Sequence, residues 1–581
     1  MSRGNSIDVA RAGLSVQNSA TAMRFLLRHR DKLPDWVLRF TASLSVIGVL
    51  IGTLFFAASL TPSLLPRTYV MQAMLSGVSL SAGYGIGVFA SWLWTYVGLP
   101  SLPARMQRYI LYAASALCVA VALTFLWQAS SWQNAVRELM ELELVDTAHL
   151  FRVGGIAFVV FLGVLAAARL FHLVFRFSAR RLGHFIPPHV ANVAGALVAI
   201  ALFWAVIDGV LFRYLLRVSD SAYAQVDAWI EPEQARPTDP FQSGSLESLI
   251  SWESLGRRGR EFVAGGPTLE ALSAFHEGPV MKPIRVYVGL NSADTIEARA
   301  QLALAELERV GAFDRSVLIL ATPTGTGWLD PSSMDVVEYL HRGDIATVAV
   351  QYSYLPSWLS LMAEADFGAD TARAVFLAIY GHWTSLPRDS RPRLYLHGLS
   401  LGAMNSDLAA DLYDIINDPF SGALWSGPPY RSSTWRAITD MRQSQSPAWL
   451  PRFRDGSIIR FTNQDNHLDL PGATWGPIRI VYLQYASDPI TFFETASFYR
   501  QPEWMQEPRG PDVSAELRWY PVVTMLQLAV DLASADASPM GFGHVYAPSH
   551  YIDAWLAVTE PADWTDAMTE RLKQFFEAAE R

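Results

Sequence analysis

The sequence contains a single cysteine and few charged residues. Cys118 lies in an apolar run, so the 581-residue chain cannot form an internal disulfide and offers no thiolate metal site. Charged residues make up only 17% of the chain, whereas 51% of it is hydrophobic, and the mean hydropathy is +0.19. Such a composition does not suit a protein whose whole surface faces water. It indicates that part of the chain lies in a membrane.

Clustered basic residues are missing from the larger part of the chain. We expect no Lys/Arg-rich surface of the kind that binds a phosphate backbone after residue 181, and the net charge is -9, which argues against a nucleic-acid partner. The histidines do not fall at ligand spacing near cysteines or carboxylates, so we expect no metal, and we expect no other cofactor. The first forty residues also lack a short apolar core followed by a cleavage site, and we therefore expect no cleaved signal peptide.

Long apolar runs occur only in the N-terminal part. Five of them have the roughly 20 residues that a helix needs to cross a bilayer. They lie near 40–61, 70–94, 107–128, 152–174 and 190–213. These runs predict a five-helix transmembrane domain over residues 1–217, with the bilayer as its partner. Asp208 is the one acidic residue well inside a run, and we expect it to have a structural role near the end of the fifth span.

The basic residues next to the spans indicate an orientation. Lys and Arg are frequent before the first span, between the second and third, and after the fourth, whereas the loops near 62–69 and 129–149 have few. Because basic loops tend to stay cytoplasmic, the N-terminus is expected in the cytoplasm. Five spans then place everything after residue 218 on the extracytoplasmic (periplasmic) side of the plasma (inner) membrane.

The C-terminal part has a different pattern. Residues 218–279 are polar and contain several prolines and glycines, so they are interpreted as a connector. Residues 280–581 alternate between apolar strands and helices. The strands include "IRVYVGL", "SVLILATP", "IATVAVQYSY" and "RPRLYLHG". This alternation predicts an α/β domain with a mostly parallel sheet.

Ser400 stands between the last of these strands and a helix, in the order Gly398-x-Ser400-x-Gly402. This arrangement is typical of the nucleophile elbow, a sharp turn that exposes a serine hydroxyl at the edge of a sheet. The alternative is that Ser400 is an ordinary turn residue. A serine nucleophile requires a basic imidazole within hydrogen-bond reach and a carboxylate that orients the imidazole. In this type of domain the carboxylate comes next in the chain and the histidine last.

The later sequence contains residues in that order. Asp488 directly follows the apolar strand in "IRIVYLQYASDP", although it could also be only a helix cap. His544 and His550 are the histidines that follow Asp488. His544 is the preferred base, because the glycines before it allow a loop to reach the sheet edge, and His550 is the alternative base.

An acyl-transfer reaction also needs backbone donors for the oxyanion. The amide of Leu401, the residue after the nucleophile, is the expected first donor. The second is expected from the glycine-containing loop in "ATPTGTGWLDP", whose candidate residues are Thr324, Gly325, Thr326 and Gly327. A simple turn before the next helix is the alternative interpretation of this loop.

Several stretches resemble an α/β-hydrolase family whose members carry an N-terminal multi-span membrane domain. They include "LTPSLLPR", "SWESLGRRGREFV", "ATPTGTGWLDP", "RPRLYLHGLSLGA", "WSGPP" and "GFGHVY". The resemblance extends from about residue 40 to about 560, and it implies a hydrolase fold in which Ser400, Asp488 and His544 match the triad positions. Leu399 and Phe542 depart from the family pattern, in which relatives commonly have an acidic residue and a histidine.

These observations favour a membrane-anchored serine hydrolase that cleaves an acyl ester or thioester, with a lipid or lipid-linked substrate. An acyltransferase would use the same triad, and a ligand-binding membrane receptor without turnover is a different class of function. Transport through the spans has less support, because no pair of broken helices is visible. The sequence leaves open the acyl group, its acceptor and the oligomeric state.

Overall fold

The computed structural model describes residues 35–100, 103–206, 227, 234–355 and 365–580. Asp208 lies outside these residues, and so do the basic residues that precede Asp35 and part of the expected connector. Within the described part, an N-terminal group of apolar helices is followed by an α/β domain.

Six helices lie in the N-terminal described part. They are α1 (Asp35–Ala42), α2 (Val46–Ser59), α3 (Tyr69–Tyr96), α4 (Ala104–Leu139), α5 (Leu150–Leu182) and α6 (Pro188–Trp204). Among the described residues, only α3, α4 and α5 are long and apolar enough to cross a membrane. These three helices fit a membrane anchor.

The prediction of five spans was therefore wrong in number. The run near 40–61 is interrupted, because Ser45 begins a new helix by accepting a hydrogen bond from the Gly48 amide at 3.2 Å. The resulting helix α2 has only 14 residues, and at 1.5 Å per residue it is too short to cross a bilayer about 30 Å thick. Helix α6 has 17 residues, and the rest of the run expected at 190–213 continues beyond Val206, outside the described residues.

Helices α2 and α3 approach each other closely through glycines. A β-carbon placed on Gly83 would lie 2.8 Å from the Ile51 carbonyl oxygen, and one on Gly87 would lie 2.6 Å from the Gly48 α-carbon. Small residues permit such contact where lipid supplies no hydrophobic drive between helices. Large apolar side chains point outward instead, among them Trp92, Leu123 and Leu173. This distribution of residues suits helices surrounded by lipid.

The α/β domain is built on a seven-stranded parallel sheet in the order β1-β3-β2-β4-β5-β7-β6. The strands are β1 (Ile284–Val288), β2 (Val317–Thr322), β3 (Ile345–Val350), β4 (Arg393–Leu399), β5 (Gly422–Ser426), β6 (Ile459–Thr462) and β7 (Arg479–Leu483). Strands β1 to β5 are buried along almost their whole length, as expected for a parallel sheet covered on both faces. The expected α/β fold with a parallel sheet is confirmed.

Twelve further α-helices accompany this sheet in the described residues. They are α7 (Gly256–Ala264), α8 (Leu269–Phe275), α9 (Ile296–Arg309), α10 (Pro331–Leu340), α11 (Ala365–Ser385), α12 (Leu401–Asp407), α13 (Leu412–Ile415), α14 (Ser433–Asp440), α15 (Pro489–Phe492), α16 (Val523–Leu532), α17 (Pro548–Thr559) and α18 (Asp566–Glu580). Part of the expected connector packs on this domain, because the buried Glu306 accepts hydrogen bonds from Ser248 Oγ and the Leu249 amide.

One end of the helical region joins the core of the α/β domain. Leu64 and Leu65, between α2 and α3, belong to the same buried apolar cluster as the strands of the sheet. Val136 and Met140, at the end of α4, belong to it as well. The loops that follow α2 and α4 therefore lie on the same side of the helices, and both contact the α/β domain.

Candidate active site

Ser400 occupies the sharp turn between β4 and α12. Its backbone angles are φ 57 and ψ -124, in a region that residues with a side chain rarely adopt. Such strain is a feature of the nucleophile elbow. The turn also requires glycine on both sides of Ser400. A β-carbon on Gly398 would overlap the Gly402 backbone, and one on Gly402 would overlap the Thr322 carbonyl oxygen.

The strands around the elbow fix its position. In the sheet, Gly398 on β4 pairs with Thr322 on β2, and Leu399 pairs with Ser426 on β5. The Ser400 amide then donates a hydrogen bond to the Ser426 carbonyl at 3.0 Å. Ser400 therefore lies at the carboxyl ends of central parallel strands, where open α/β sheets bind their ligands.

Asp488 is completely buried just beyond β7, where it begins α15. Its Oδ1 accepts a hydrogen bond from the Ile490 amide at 2.8 Å, so Asp488 does cap a helix. Its Oδ2 lies 2.7 Å from His544 Nδ1 and accepts a further hydrogen bond from the Tyr546 hydroxyl at 2.8 Å. Asp488 therefore caps a helix through Oδ1 and contacts His544 through Oδ2, so the capping role does not exclude the predicted one.

His544 is held in one orientation by its surroundings. A β-carbon on Gly427, which follows β5, would lie 2.7 Å from His544 Cε1, so the ring rests directly on this glycine. The carboxylate fixes the tautomer in which Nδ1 carries the proton and Nε2 is free to accept one. Burial lowers the pKa of His544, but the charge and hydrogen bond of Asp488 outweigh burial and leave the pKa above its usual value.

Ser400 and His544 approach the same stretch of backbone. Ser400 is bonded to Ser426, and the His544 ring contacts the next residue, Gly427. Within the described residues, His544 Nε2 is buried and has no hydrogen-bond partner, so Ser400 Oγ is not bonded to it here. Catalytic hydrogen bonds often tighten only when substrate is bound.

The structure gives His550 a different environment. On helix α17, His550 Nδ1 lies 2.5 Å from the Tyr485 hydroxyl, which also accepts a hydrogen bond from the Ala547 amide. Burial lowers the pKa of His550 to about 4. The hydrogen bond with Asp488 belongs to His544, not to His550.

The loop after β2 lies next to the elbow, because Gly402 packs against the carbonyl oxygens of Thr322 and Pro323. Two of its predicted oxyanion donors are used within the loop. The Thr324 amide donates to the Trp328 carbonyl at 3.0 Å, and the Gly327 amide donates to the Thr324 carbonyl at 2.9 Å.

The amides of Gly325 and Thr326 make no hydrogen bond in the described part of the chain. Leu401 is the first residue of α12, so its amide has no acceptor within that helix. Of the five amides predicted to donate to an oxyanion, those of Gly325, Thr326 and Leu401 therefore remain available.

Sequence reasoning missed several residues that support the site. Ser487 Oγ accepts a hydrogen bond from the Gly543 amide at 2.9 Å and donates one to Asp512 Oδ2 at 2.5 Å. Gln464 Nε2 also donates to Asp512 Oδ2, at 2.9 Å. The only sequence signal for Ser487 and Tyr546 is that they adjoin the proposed triad residues, and nothing in the sequence marks Asp512.

Replacing Tyr546 by phenylalanine tests one of these supports. Phenylalanine preserves the stacking on Tyr485, at 4.4 Å between ring centroids, but it removes the hydroxyl that donates to Asp488. The full negative charge of Oδ2 then acts on His544 and stabilises its imidazolium. We expect the acid limb of the kcat/KM profile to move to higher pH, and kcat to fall about tenfold because the carboxylate loses one positioning contact.

The control for this variant is Tyr482→Phe. Tyr482 is a buried tyrosine whose hydroxyl has no hydrogen-bond partner in the described residues. Its replacement should leave the pH profile unchanged. An acid limb that stays in place in Tyr546→Phe would show that this hydroxyl does not act on the imidazole.

Comparisons with known families agree with this architecture. The profile described as "Alpha/beta-hydrolase family" matches residues 284–572, and the one described as "Alpha/beta-hydrolase family N-terminus" matches residues 60–267. Comparison with curated proteins and with solved structures returned no match. In the described residues, no group of three or more His, Cys, Asp or Glu side chains could hold a metal ion. The two family profiles together cover most of the chain, which therefore belongs to an alpha/beta-hydrolase family that has its own N-terminal region.

Proposed function

We propose that this protein is a membrane-anchored serine hydrolase that cleaves an acyl ester or thioester through Ser400, His544 and Asp488. The observation that carries the proposal is the 2.7 Å hydrogen bond between His544 Nδ1 and Asp488 Oδ2, buried beside a strained serine turn. A buried imidazole and carboxylate next to an elbow serine are the parts that acyl transfer requires.

The reaction follows from the roles of these three residues. Ser400 Oγ attacks the acyl carbonyl and transfers its proton to His544 Nε2, while Asp488 stabilises the imidazolium through Nδ1. The Leu401 amide, with the amides of Gly325 and Thr326, stabilises the oxyanion. His544 then protonates the leaving alcohol or thiol. In the second half, a water molecule gives its proton to His544, attacks the acyl-enzyme and releases the acid, and Ser400 recovers its proton.

A lipid or lipid-linked acyl group is the proposed substrate. Three apolar helices fit a membrane anchor, and the loop after α2 packs into the core of the α/β domain. The site is therefore tied to a bilayer surface. Two large apolar side chains close to α16, Phe498 and Tyr499, are 46% and 72% exposed and could contact acyl chains there.

We further propose that the α/β domain lies on the extracytoplasmic side of the plasma membrane, as the basic loops indicate. The two loops that contact this domain follow α2 and α4, and both are poor in basic residues. A reporter enzyme that is active only outside the cytoplasm should be active when fused to the C-terminus. Activity of a cytoplasmic reporter at that position would contradict the placement.

The experiment that tests the catalytic proposal uses a fluorophosphonate probe, which reacts with activated serines. The full chain is purified in detergent, incubated with the probe, digested and examined by mass spectrometry. We expect a single modified peptide that carries the label on Ser400, and no label on heat-denatured protein. Absence of label on the folded chain, or label on another serine, would contradict the proposal.

A further inference from the structure

The loop between α2 and α3 is buried against the α/β domain. We call residues 61–67, "TPSLLPR", the junction loop. Each of its residues except Pro66 is buried. Two contacts from α16 hold its first residue, because Gln527 Nε2 donates to the Thr61 carbonyl at 3.0 Å and lies 3.2 Å from Thr61 Oγ1.

Asp531, on helix α16, is the strongest link between the two regions. This carboxylate is completely buried, and it accepts hydrogen bonds from Ser63 Oγ at 2.8 Å, the Leu64 amide at 3.0 Å and Arg67 Nε at 3.1 Å. All three donors belong to the junction loop. These hydrogen bonds compensate the buried carboxylate, so the junction loop stabilises α16 in its observed position.

Arg67 extends this link into the helices of the anchor. Its Nη1 donates to Gln72 Oε1 at 3.0 Å, and Gln72 Nε2 donates to the Ser59 carbonyl at 2.9 Å. Ser59 ends α2, and Gln72 lies in the first turns of α3. The hydrogen-bonded chain therefore runs from α16 to the ends of both helices.

The chain continues from α16 through a short 3-10 helix at Ala535–Ala537 to the loop that carries His544. We call residues 538–546 the histidine loop. Its turn is closed by hydrogen bonds from the Gly541 amide to the Val545 carbonyl, at 2.9 Å, and from the Val545 amide to the Phe542 carbonyl, at 3.1 Å. Gly543, the residue before His544, is fixed on one side by Ser487 Oγ.

The junction loop covers another side of Gly543. A β-carbon on Gly543 would lie 3.1 Å from Leu65 Cδ2, so this leucine packs against the backbone that carries His544. Leu65 is 3% exposed and has little room to move. The junction loop thus holds the histidine loop in two ways, through the fixed end of α16 and through direct contact at Gly543.

We propose that the junction loop of the N-terminal region is a positioning element of the active site, with Leu65 as the positioning residue for the loop that carries His544. This inference rests on the proposed function, because it assigns the element that holds the catalytic base. It implies that the α/β domain reaches full activity only when the membrane-anchored region is in place.

The test compares two leucines of the same stretch in the full-length protein. Leu65→Ala removes the contact with Gly543, whereas the control Leu60→Ala affects a buried leucine that packs with Ala73, Ala129 and Val153 among the helices. For a short-chain soluble ester, we expect Leu65→Ala to lower kcat about tenfold at unchanged KM, because misplacement of a catalytic group slows chemistry more than binding. Leu60→Ala should leave kcat unchanged.

Hydrogen exchange provides a second measurement, which does not depend on activity. The amides of Gly541, Gly543 and Val545 are hydrogen-bonded in the histidine loop, so a loosened loop exchanges them faster. We expect exchange in the peptide over 538–546 to rise about tenfold in Leu65→Ala and to stay unchanged in Leu60→Ala. Leu65→Met, which nearly conserves the side-chain volume, should restore both exchange and kcat.

These measurements distinguish failure of this inference from failure of the proposed function. If wild-type protein neither reacts with the fluorophosphonate nor hydrolyses esters, the proposed function fails, and the exchange comparison still decides whether Leu65 holds the histidine loop. Unchanged exchange over 538–546 in Leu65→Ala would overturn the inference. An equal rise in Leu60→Ala would overturn it as well, since the effect would then be a general loosening of the helices.

Discussion

Ser400→Ala is expected to reduce ester turnover by roughly a million-fold, the loss seen when the nucleophile of a catalytic triad is removed. The same change should abolish labelling by the fluorophosphonate probe. Alanine fits the site, because the Ser400 hydroxyl does not cap α12 and the Ser400 amide keeps its hydrogen bond to the Ser426 carbonyl. The thermal unfolding temperature should therefore stay close to that of the wild type. Loss of activity with an intact fold isolates the chemical role of the hydroxyl.

The matched control is Ser406→Ala, at a buried serine of α12, the helix that follows Ser400. The Ser406 hydroxyl accepts a hydrogen bond from Trp425 Nε1 at 3.0 Å, so its removal leaves a buried donor unsatisfied. We expect a loss of about 1–3 kcal/mol in the free energy of unfolding, but labelling should persist. If Ser400→Ala retained labelling and turnover, Ser400 would not be the nucleophile. If the wild type had neither, a ligand-binding role without turnover would become the better hypothesis.

The regular part of the fold could be predicted from the sequence, because buried parallel strands leave a direct pattern. The apolar runs that contain β1, β2, β3, β4 and β7 are all visible there, and each is followed by a turn or helix signal. The strands Gly422–Ser426 and Ile459–Thr462 are harder to recognise, since "GALWS" has no β-branched residue and "IRFT" has only four residues between polar segments. Such short segments without a clear apolar pattern do not separate a strand from a short buried turn.

The predicted number of membrane spans was wrong for a physical reason. Hydropathy averages over about 20 residues, whereas a helix can begin again at a single capping residue. Ser45 does this inside the first predicted span, and the chain then turns into the junction loop after Ser59. The apolar character of this stretch comes partly from side chains buried against protein, such as Leu64 and Leu65, and not from a longer helix in lipid.

In the candidate site, features formed by neighbouring residues could be predicted, whereas contacts between residues far apart in the sequence could not. Gly398, Ser400 and Gly402 lie together in the sequence, so local geometry was enough to predict a strained turn there. The contacts that hold His544 come from Gly427, Ser487 and Leu65, far away along the chain. Ser63 and Asp531, for example, are 468 positions apart, and no periodicity or motif connects such a pair. Only the folded structure brings them together.

Replacing His544 and His550 by alanine, one at a time, should show which of them is the catalytic base and which has a structural role. We expect His544→Ala to lower kcat for a short-chain ester by at least about a thousand-fold, because Ser400 would lose its proton acceptor. We expect His550→Ala to change kcat only a few-fold. The reason is that His550 Nδ1 is occupied by the Tyr485 hydroxyl, and a pKa of about 4 makes His550 a weak base.

Stability should fall in both variants, because each replacement removes a hydrogen-bond partner from a buried polar group. In His550→Ala the buried Tyr485 hydroxyl loses one of its two partners and keeps only the Ala547 amide, so the free energy of unfolding should fall by about 1–3 kcal/mol. In the unaltered protein, Asp488 holds the pKa of His544 above its usual value, which suits a residue that accepts a proton. In His544→Ala, added imidazole should therefore restore part of the turnover if it occupies the space over Gly427. Rates, imidazole rescue and thermal melting of both variants would be measured side by side. A thousand-fold loss in His550→Ala together with an active His544→Ala would reverse the assignment, because the proton would then travel through a histidine that has no contact with Asp488.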